Sequence, residues 1–147
     1  MKKIDTTNAI GLFRSKCKKH GLKVTPQRTI VYEELLKATD HPSIDILLKR
    51  VRKILPNISF DTVYRTLLSL SKIGVVNIVE GYGGSKRFEP NVAPHHHFRC
   101  INCHRIIDFY NEYYDNLKIP TDIQKQFNVL NKKVLLEGLC KQCNKEK

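Results

Sequence analysis

The chain has 147 residues, and its 26 Lys and Arg against 14 Asp and Glu give a net charge of +12. This length suits one ordinary domain or two small ones, and the positive charge favours a polyanion such as nucleic acid as partner. No apolar run approaches the roughly 20 residues that span a bilayer, and the first residues lack the apolar stretch of a signal peptide. We therefore expect a soluble, cytoplasmic protein and not a membrane protein.

The positive charge is concentrated in the first two thirds of the chain. Residues 1–94 carry 17 basic and 8 acidic side chains, whereas residues 95–147 carry 9 and 6. The polyanion-binding surface is therefore predicted in the N-terminal part. A basic protein whose lysines are merely solvated is the alternative that charge alone leaves open.

Two short helices are predicted before residue 56. Thr25 is a hydroxyl N-cap and Pro26 suits the first helical position, so a helix is expected over 26–38. Ser43 can cap a second helix, which has an apolar stripe on one face and ends before Pro56.

A third helix and a hairpin follow. Ser59 can cap this helix and Gly74 marks its end. Its outer face is basic and aromatic, with Arg65 pointing outward and Tyr64 on the flank, while its predicted buried residues are Val63, Leu67 and Leu70. The stretch VVNIVEGYGGSKRFE then predicts a hairpin. Three helices followed by a hairpin predict a winged helix-turn-helix, which binds DNA, although a helical bundle without a DNA role remains open.

A domain boundary is predicted at residues 89–95, EPNVAPH, because two prolines in seven positions prevent a helix or a central strand. The segment would join an N-terminal domain over 1–88 to a C-terminal domain over 96–147. In the C-terminal part, the patterns predict strands near 96–100 and 105–109, irregular helix over 111–127 with Thr121 and Gln124 spaced as a capping box, and a strand in VLNKKVLLEG, 129–138. The fold class is therefore α/β, with a small C-terminal α/β domain.

Two Cys-x-x-Cys pairs give the strongest chemical signal. They are Cys100, Cys103, Cys140 and Cys143. Each pair lets two thiolates bind one ion around a tight turn, and two pairs supply the tetrahedral sulfur set that zinc prefers. Disulfides or buried free thiols are the alternatives, and disulfides are rare in a cytosolic chain. Cys17, in the first helical segment, is interpreted as an ordinary half-buried thiol.

The histidines of HHHFRCINCH form a second candidate site. In an extended segment His95 and His97 share one face, while His96 points to the other. Asp108 could join the pair if the two strands that carry them are neighbours, and Glu89 lies just before the boundary. The pair indicates a metal site, with surface histidines or the acid and base of an enzyme as alternatives.

A series of motifs in a fixed order carries a family resemblance. The motifs are GLKVTPQR (21–28), HPSIDIL (41–47), SFDTVYRTLLSLSKIGVV (59–76), RFEP (87–90), HHHFRCINCHRIIDF (95–109) and CKQC (140–143). In order and spacing they resemble the ferric uptake regulator (Fur) superfamily over about residues 12–145. The resemblance implies a winged-helix DNA-binding domain hinged to a dimerisation domain. It also implies a homodimer that represses transcription from double-stranded operator DNA when its sensing site is loaded.

The resemblance also implies two metal sites. A structural Zn(II) would be bound by the four cysteines. A regulatory metal would be bound by His41, Glu89, His95, His97 and Asp108. Three imidazoles and two carboxylates suit Fe(II) or Mn(II) better than tetrahedral zinc.

The resemblance further implies DNA contacts and a subfamily. Tyr64 would contact thymine, Lys23 would reach the minor groove, and Arg65 would contact a phosphate or a base. Peroxide-sensing (PerR) members typically have aspartate at the positions of both Glu89 and Asp108, and iron-uptake members have glutamate at both. Asp108 therefore favours the peroxide sensor, in which bound Fe(II) reacts with H₂O₂ and a ligand histidine is oxidised, whereas Glu89 favours the iron-uptake regulator.

A further site found in many family members is predicted to be absent. Its four positions are Pro94, His96, Asp115 and Lys132, of which proline and lysine are not metal ligands. His96 and His104 are therefore interpreted as surface histidines.

The prediction is a metal-dependent repressor that senses peroxide and is not an enzyme. A regulator of iron or zinc uptake is the nearer alternative. The distant one is a metallohydrolase that activates water with His95, His97 and Asp108, although the chain has no nucleophile motif or phosphate loop.

Overall fold

A computed structural model describes residues 4–145. These residues form two compact units, and the division falls between Val92 and Ala93. It therefore lies within the segment 89–95 that was predicted as a boundary. None of the helices in the described part of the chain is long and apolar enough to cross a membrane.

The N-terminal unit consists of four helices and a two-stranded hairpin. The helices are α1 (Thr6–Lys19), α2 (Pro26–Lys37), α3 (Ile44–Val51) and α4 (Phe60–Lys72), and the antiparallel strands are β1 (Asn77–Glu80) and β2 (Lys86–Glu89). A 3₁₀ turn over Tyr82–Gly84 joins the strands. The order of α2, α3, α4 and hairpin is that of a winged helix-turn-helix, as predicted.

The predicted helix starts are confirmed by their capping bonds. The hydroxyl of Thr25 accepts a hydrogen bond from the Arg28 amide, and Ser43 and Ser59 do the same for the amides three residues later. Each bond satisfies a donor that the first helical turn leaves without an intrahelical partner.

The core of the N-terminal unit lies between these helices. The ring of Phe13 in α1 stacks on that of Tyr32 in α2, with centroids 4.7 Å apart. The predicted inner face of α4, Val63, Leu67 and Leu70, is fully buried. Cys17 is also fully buried, so its prediction as half-buried was wrong. Its α1 face packs into this core, and burial raises the pKa of its thiol.

The C-terminal unit is built on a three-stranded sheet. Its strands are β3 (His96–Cys100), β4 (Ile106–Phe109) and β5 (Leu135–Gly138), and its short helices are α5 (Glu112–Asp115), α6 (Thr121–Gln126) and α7 (Lys141–Lys145). The strand order is β4-β3-β5, with β4 antiparallel and β5 parallel to the central β3. The α/β class is as predicted.

Three details of this unit differ from the sequence predictions. Helix α6 has Pro120 as its N-cap and no side-chain cap bond, so Thr121 is the first helical residue and the predicted capping box is absent. The strand predicted over 129–138 is confined to Leu135–Gly138, because its partner β3 begins only at His96. Helix α7 was not predicted, since five residues are too few for an apolar period.

Candidate metal centres

The four cysteines form one cluster within the C-terminal unit. Cys100 ends β3, Cys103 lies in the turn after it, Cys140 directly precedes α7, and Cys143 lies in the middle of α7. Their four sulfur atoms all lie within 4.8 Å of one another. The Sγ atoms of Cys103 and Cys140 are 3.8 Å apart, which matches the edge of a tetrahedron with Zn–S bonds of about 2.3 Å and exceeds the roughly 2.05 Å of a disulfide.

The surroundings of the sulfurs favour thiolates at two positions. Hydrogen bonds from the backbone amides of Cys103 and Cys140 lower the pKa of the Cys100 thiol to about 6. The Cys143 amide likewise lowers the pKa of Cys140. A bond from Asn102 would lower the pKa of Cys143, but burial and the neighbouring sulfurs outweigh it and raise that pKa to about 11. Four thiolates at this spacing repel one another, and a bound cation removes that repulsion.

A second cluster in the same unit contains His95, His97 and Asp108. His97 and Asp108 are directly opposed across β3 and β4, so their side chains share a face. The Nε2 atoms of the two histidines are 3.0 Å apart, and Asp108 Oδ1 lies 3.2 Å from that of His97 and 3.6 Å from that of His95. All three polar groups thus converge on one point.

The orientation of His95 is fixed from outside the cluster. Its Nδ1 lies 2.6 Å from the backbone carbonyl oxygen of Ala93. Because a carbonyl only accepts, Nδ1 carries the proton, so in the neutral ring Nε2, which faces His97 and Asp108, is the nitrogen with the lone pair. This is the arrangement of a metal-ligating histidine.

A third cluster, in the N-terminal unit, pairs His41 with Glu89. His41 Nε2 lies 2.9 Å from Glu89 Oε2, and the side chains are 5% and 3% exposed. The Phe88 amide donates to the Pro42 carbonyl at 3.1 Å and so ties β2 to the segment of His41. The Asn77 side chain donates to the Glu89 carboxylate at 3.5 Å. A carboxylate buried this deeply requires a positive partner, which a protonated imidazole or a metal ion supplies.

His41 has an unusual backbone conformation, which a neighbouring ion pair supports. Its φ of 48° lies in the left-handed region, which non-glycine residues rarely adopt. The preceding residue, Asp40, accepts two hydrogen bonds from the guanidinium of Arg50 in α3, at 2.9 and 2.6 Å. Strain of this kind persists only where the surroundings hold it, and it is typical of functional positions.

The interpretation of His96 as a surface residue was wrong. Its side chain is 3% exposed, its Nε2 lies 2.6 Å from Asp115 Oδ1, and its Nδ1 accepts from the Val134 amide at 3.3 Å. It thus ties β3 to α5 and to the start of β5. His104 is half-buried, and the Lys132 ammonium donates to the Leu117 carbonyl at 2.5 Å. Of the four positions of the further family site, His96 and Asp115 therefore contact each other, whereas Lys132 donates to a backbone carbonyl outside the site.

The residues predicted to contact DNA lie around α4 and the segment before α2. The Lys23 carbonyl accepts a hydrogen bond from Arg28 at 2.7 Å, which fixes the backbone that carries the lysine. Arg65 forms an ion pair with Asp61 at 3.0 Å. The Tyr64 ring has the ammonium of Lys86, from the hairpin, 5.8 Å from its centroid. The hairpin and α4 therefore share a basic surface.

Sequence reasoning missed the residues that position these ligands. They are Ala93, Asn77, Asn102 and the Asp40–Arg50 pair. Each acts on a ligand through a tertiary or backbone contact, and no local pattern of residue types announces such a contact. The only available signal was Asn102, which lies between the cysteines of the first pair.

Comparison with known proteins identifies relatives over most of the chain. The model of the Ferric uptake regulator family matches residues 19–137. The peroxide-responsive repressor PerR of Staphylococcus epidermidis is 30% identical over 129 residues, which are 88% of this chain and 86% of that protein.

Solved structures give the same result. The Helicobacter pylori ferric uptake regulator Fur, described as having three functional metal binding sites, matches with a TM-score of 0.79 and 27% identity over 98% of this chain and 97% of its own. The Campylobacter jejuni peroxide stress regulator matches with a TM-score of 0.66 and 31% identity over 86% of this chain and 95% of its own.

Proposed function

The chain belongs to the ferric uptake regulator family and is a metal-responsive transcriptional repressor, and we propose that peroxide is the signal it senses. Members of this family are regulators and not enzymes, so the metallohydrolase alternative is excluded. The observation that carries the proposal is the convergence of His95 Nε2, His97 Nε2 and Asp108 Oδ1 on one point, with His95 held there by the contact of its Nδ1 with the Ala93 carbonyl.

We propose that the regulatory ion is Fe(II) or Mn(II) and that the second and third clusters bind it together. The ligands would be His41, Glu89, His95, His97 and Asp108. Support comes from the donor set, because three imidazoles and two carboxylates suit these ions. The bound ion supplies Lewis acidity and, as Fe(II), an electron donor for peroxide. The four cysteines would bind a structural Zn(II) with no open coordination position.

The proposed DNA-binding domain comprises residues 1–88, and the proposed dimerisation and zinc domain comprises 96–147, with 89–95 as a hinge. Because the proposed ligands come from both domains, a bound ion would favour one arrangement of the two domains over the others. The homodimer would then present two copies of Tyr64 and Arg65 to successive major grooves of double-stranded operator DNA, with Lys23 in the minor groove. The positive charge of residues 1–94 supports this partner.

Peroxide sensing is favoured over iron uptake by two observations. Asp108 opposes His97 at the site, and PerR proteins are among the relatives at about 30% identity. Glu89 supports the second candidate, an iron-uptake regulator, because glutamate is typical there of that branch. A zinc-uptake regulator is a weaker alternative.

The test compares Fe(II)-loaded and Mn(II)-loaded protein after exposure to H₂O₂. In the Fe(II) form one oxygen atom should be transferred to His41 or His95, with water as the other product, so that the peptide gains 16 Da. DNA binding should be lost in parallel, and the Mn(II) form should keep both its mass and its DNA binding. The matched control is the peptide containing His104, which should not gain mass.

Two outcomes would contradict the proposal. If Fe(II)-loaded protein keeps its mass and DNA binding in H₂O₂, the protein is a regulator of metal uptake, and titration with Fe(II) and Zn(II) then separates the alternatives. If neither Fe(II) nor Mn(II) changes DNA binding, the proposed regulatory site is wrong.

A further inference from the structure

Helix α4 begins with an exposed aromatic residue that no function described so far uses. Phe60 is the first residue of the helix, directly after the Ser59 cap, and is 45% exposed. Its ring lies over that of Tyr64, one turn later, with centroids 6.2 Å apart and planes inclined by 19°. The two rings therefore form one continuous apolar surface at the start of α4.

This apolar surface is bordered by cations. Lys86 approaches the Tyr64 ring from the hairpin, and Arg65 is 79% exposed on the next position of the helix. An apolar protein partner does not require cations at the border of its contact. A DNA major groove is complementary to both the cations and the apolar surface, because its phosphates attract cations and its floor carries an apolar methyl group at each thymine.

Among the four bases only thymine presents a methyl group in the major groove. Residues at the N-terminus of a recognition helix are the ones that reach base edges. Phe60 is at this end, and its side chain has no hydrogen-bonding atom with which to contact a phosphate or a polar base edge. The contact that its chemistry allows is packing against a methyl group.

We propose that Phe60 is a specificity-determining residue that packs against the C5-methyl group of a thymine in the operator. Tyr64 would pack against a neighbouring thymine. One helical turn advances about 5.4 Å and one base step about 3.4 Å, so the two rings face thymines one or two steps apart. The inference rests on the proposed DNA binding and adds a requirement for a thymine at a second position.

The experiment first selects an operator from random duplexes with the full-length, zinc-containing, Mn(II)-loaded protein. Each thymine of the selected duplex is then replaced singly by uracil, which removes only the methyl group. For the wild type, uracil at the Phe60 position should weaken binding about fourfold, as expected for one buried methyl group. Phe60→Ala should weaken binding to the thymine duplex, and its affinity should no longer change when uracil replaces thymine there.

Two further variants separate this contact from a folding effect. Phe60→Leu keeps an apolar side chain and should retain part of the sensitivity to uracil. Ile54→Ala removes another exposed apolar side chain, 50% exposed and outside α4, and should leave the sensitivity unchanged. Circular dichroism and Mn(II) titration check that each variant is folded.

The inference is overturned if Phe60→Ala binds as the wild type does. It is also overturned if Phe60→Ala binds every duplex more weakly by the same factor, so that each replacement of thymine by uracil has the same effect on the variant as on the wild type. Phe60 would then act through the fold alone. If the wild type selects no duplex, the proposed function fails and this inference fails with it. If the wild type selects a duplex and only the uracil result is negative, the proposed function stands without the inference.

Discussion

Strand β3 carries residues of two candidate metal-binding clusters, which differ in the chemistry of their donor atoms. Cys100, at its end, belongs to four sulfurs within one unit, whose spacing fits a tetrahedral ion with no open position. His97, three residues earlier, belongs to a group of two imidazoles and one carboxylate, with His95 and Asp108 as the other members. Soft sulfur ligands and a complete shell favour permanent occupancy, whereas a mixed N and O set favours exchange. Adjacent segments of one strand can thus serve stability and response separately.

The largest effect should come from breaking the sulfur cluster. The buried apolar cluster of the C-terminal unit consists of Cys100, Cys140 and Cys143, with Phe98 and Leu139 packed against it. Cys100→Ser should therefore abolish zinc binding and unfold this unit, because structural zinc contributes on the order of 10 kcal/mol. Zinc content by mass spectrometry and amide hydrogen exchange measure the two losses. Cys17→Ala, at a buried cysteine outside the cluster, should keep zinc, and a folded, zinc-free Cys100→Ser protein would contradict the prediction.

The second-largest effect should be a loss of Mn(II) binding without a loss of folding stability. Asp108→Ala deletes the carboxylate of the cluster formed with His95 and His97, so Mn(II) affinity should fall at least about 100-fold. This loss exceeds the roughly 10- to 100-fold loss of affinity that follows when a group that only orients a ligand is removed. Zinc content and the thermal midpoint should stay close to those of the wild type. Isothermal titration with Mn(II) measures the change, with His104→Ala as control. Loss of zinc in Asp108→Ala would show that the two clusters are not independent.

A smaller effect should come from the ion pair beside His41. Arg50→Ala releases Asp40, so His41 is held less firmly in its left-handed conformation, and Mn(II) affinity should fall about 10-fold. Lys49→Ala, on the same helix and exposed, should have no effect. Unchanged Mn(II) affinity in Arg50→Ala would rule out this positioning role.

The same pair predicts a pH dependence of stability. The hydrogen bonds from Arg50 lower the pKa of Asp40, so the pair stabilises the folded state above the ordinary aspartate pKa. This contribution is lost as the pH falls through the lowered pKa. The stability difference between wild type and Arg50→Ala should therefore be present at neutral pH and shrink in acid.

The smallest effect should come from Asn102, whose amide donates to Cys143 Sγ at 3.3 Å. Asn102→Ala removes one hydrogen bond from a metal-binding sulfur, so zinc should transfer to a chelator a few times faster, and Mn(II) affinity should not change. The exposed Asn131→Ala is the control. A slower transfer would show that this bond strains the cluster.

The sequence predicted best what depends on short spacing. The two cysteine pairs, the alternation of His95 and His97, and the caps at Thr25 and Ser59 are all set by residues at most three positions apart. Such patterns follow from the geometry of a turn or a strand. They therefore hold whatever the rest of the chain does.

The two errors about burial, at His96 and Cys17, involve partners distant in the chain. His96 is buried because Asp115, 19 residues later, and the Val134 amide satisfy its two nitrogens. Cys17 is buried because it belongs to one apolar core with residues from α2 and α4. Burial depends on tertiary contacts of this kind, which periodicity within one segment does not report.

The parallel pairing of β3 with β5 also sets an order of events during synthesis. The N-terminal unit is complete once Val92 has been added, whereas β5 and Cys143 come about 50 residues later. At roughly 5 to 20 residues per second this delay is about 3 to 10 s. From the synthesis of β3 until β5 and Cys143 have been added, the strand that carries His97 lacks its parallel neighbour and at least one of the four sulfurs. A nascent chain thus contains its whole helix-turn-helix before its sulfur cluster is complete, and the proposed zinc site is the later of the two to be assembled.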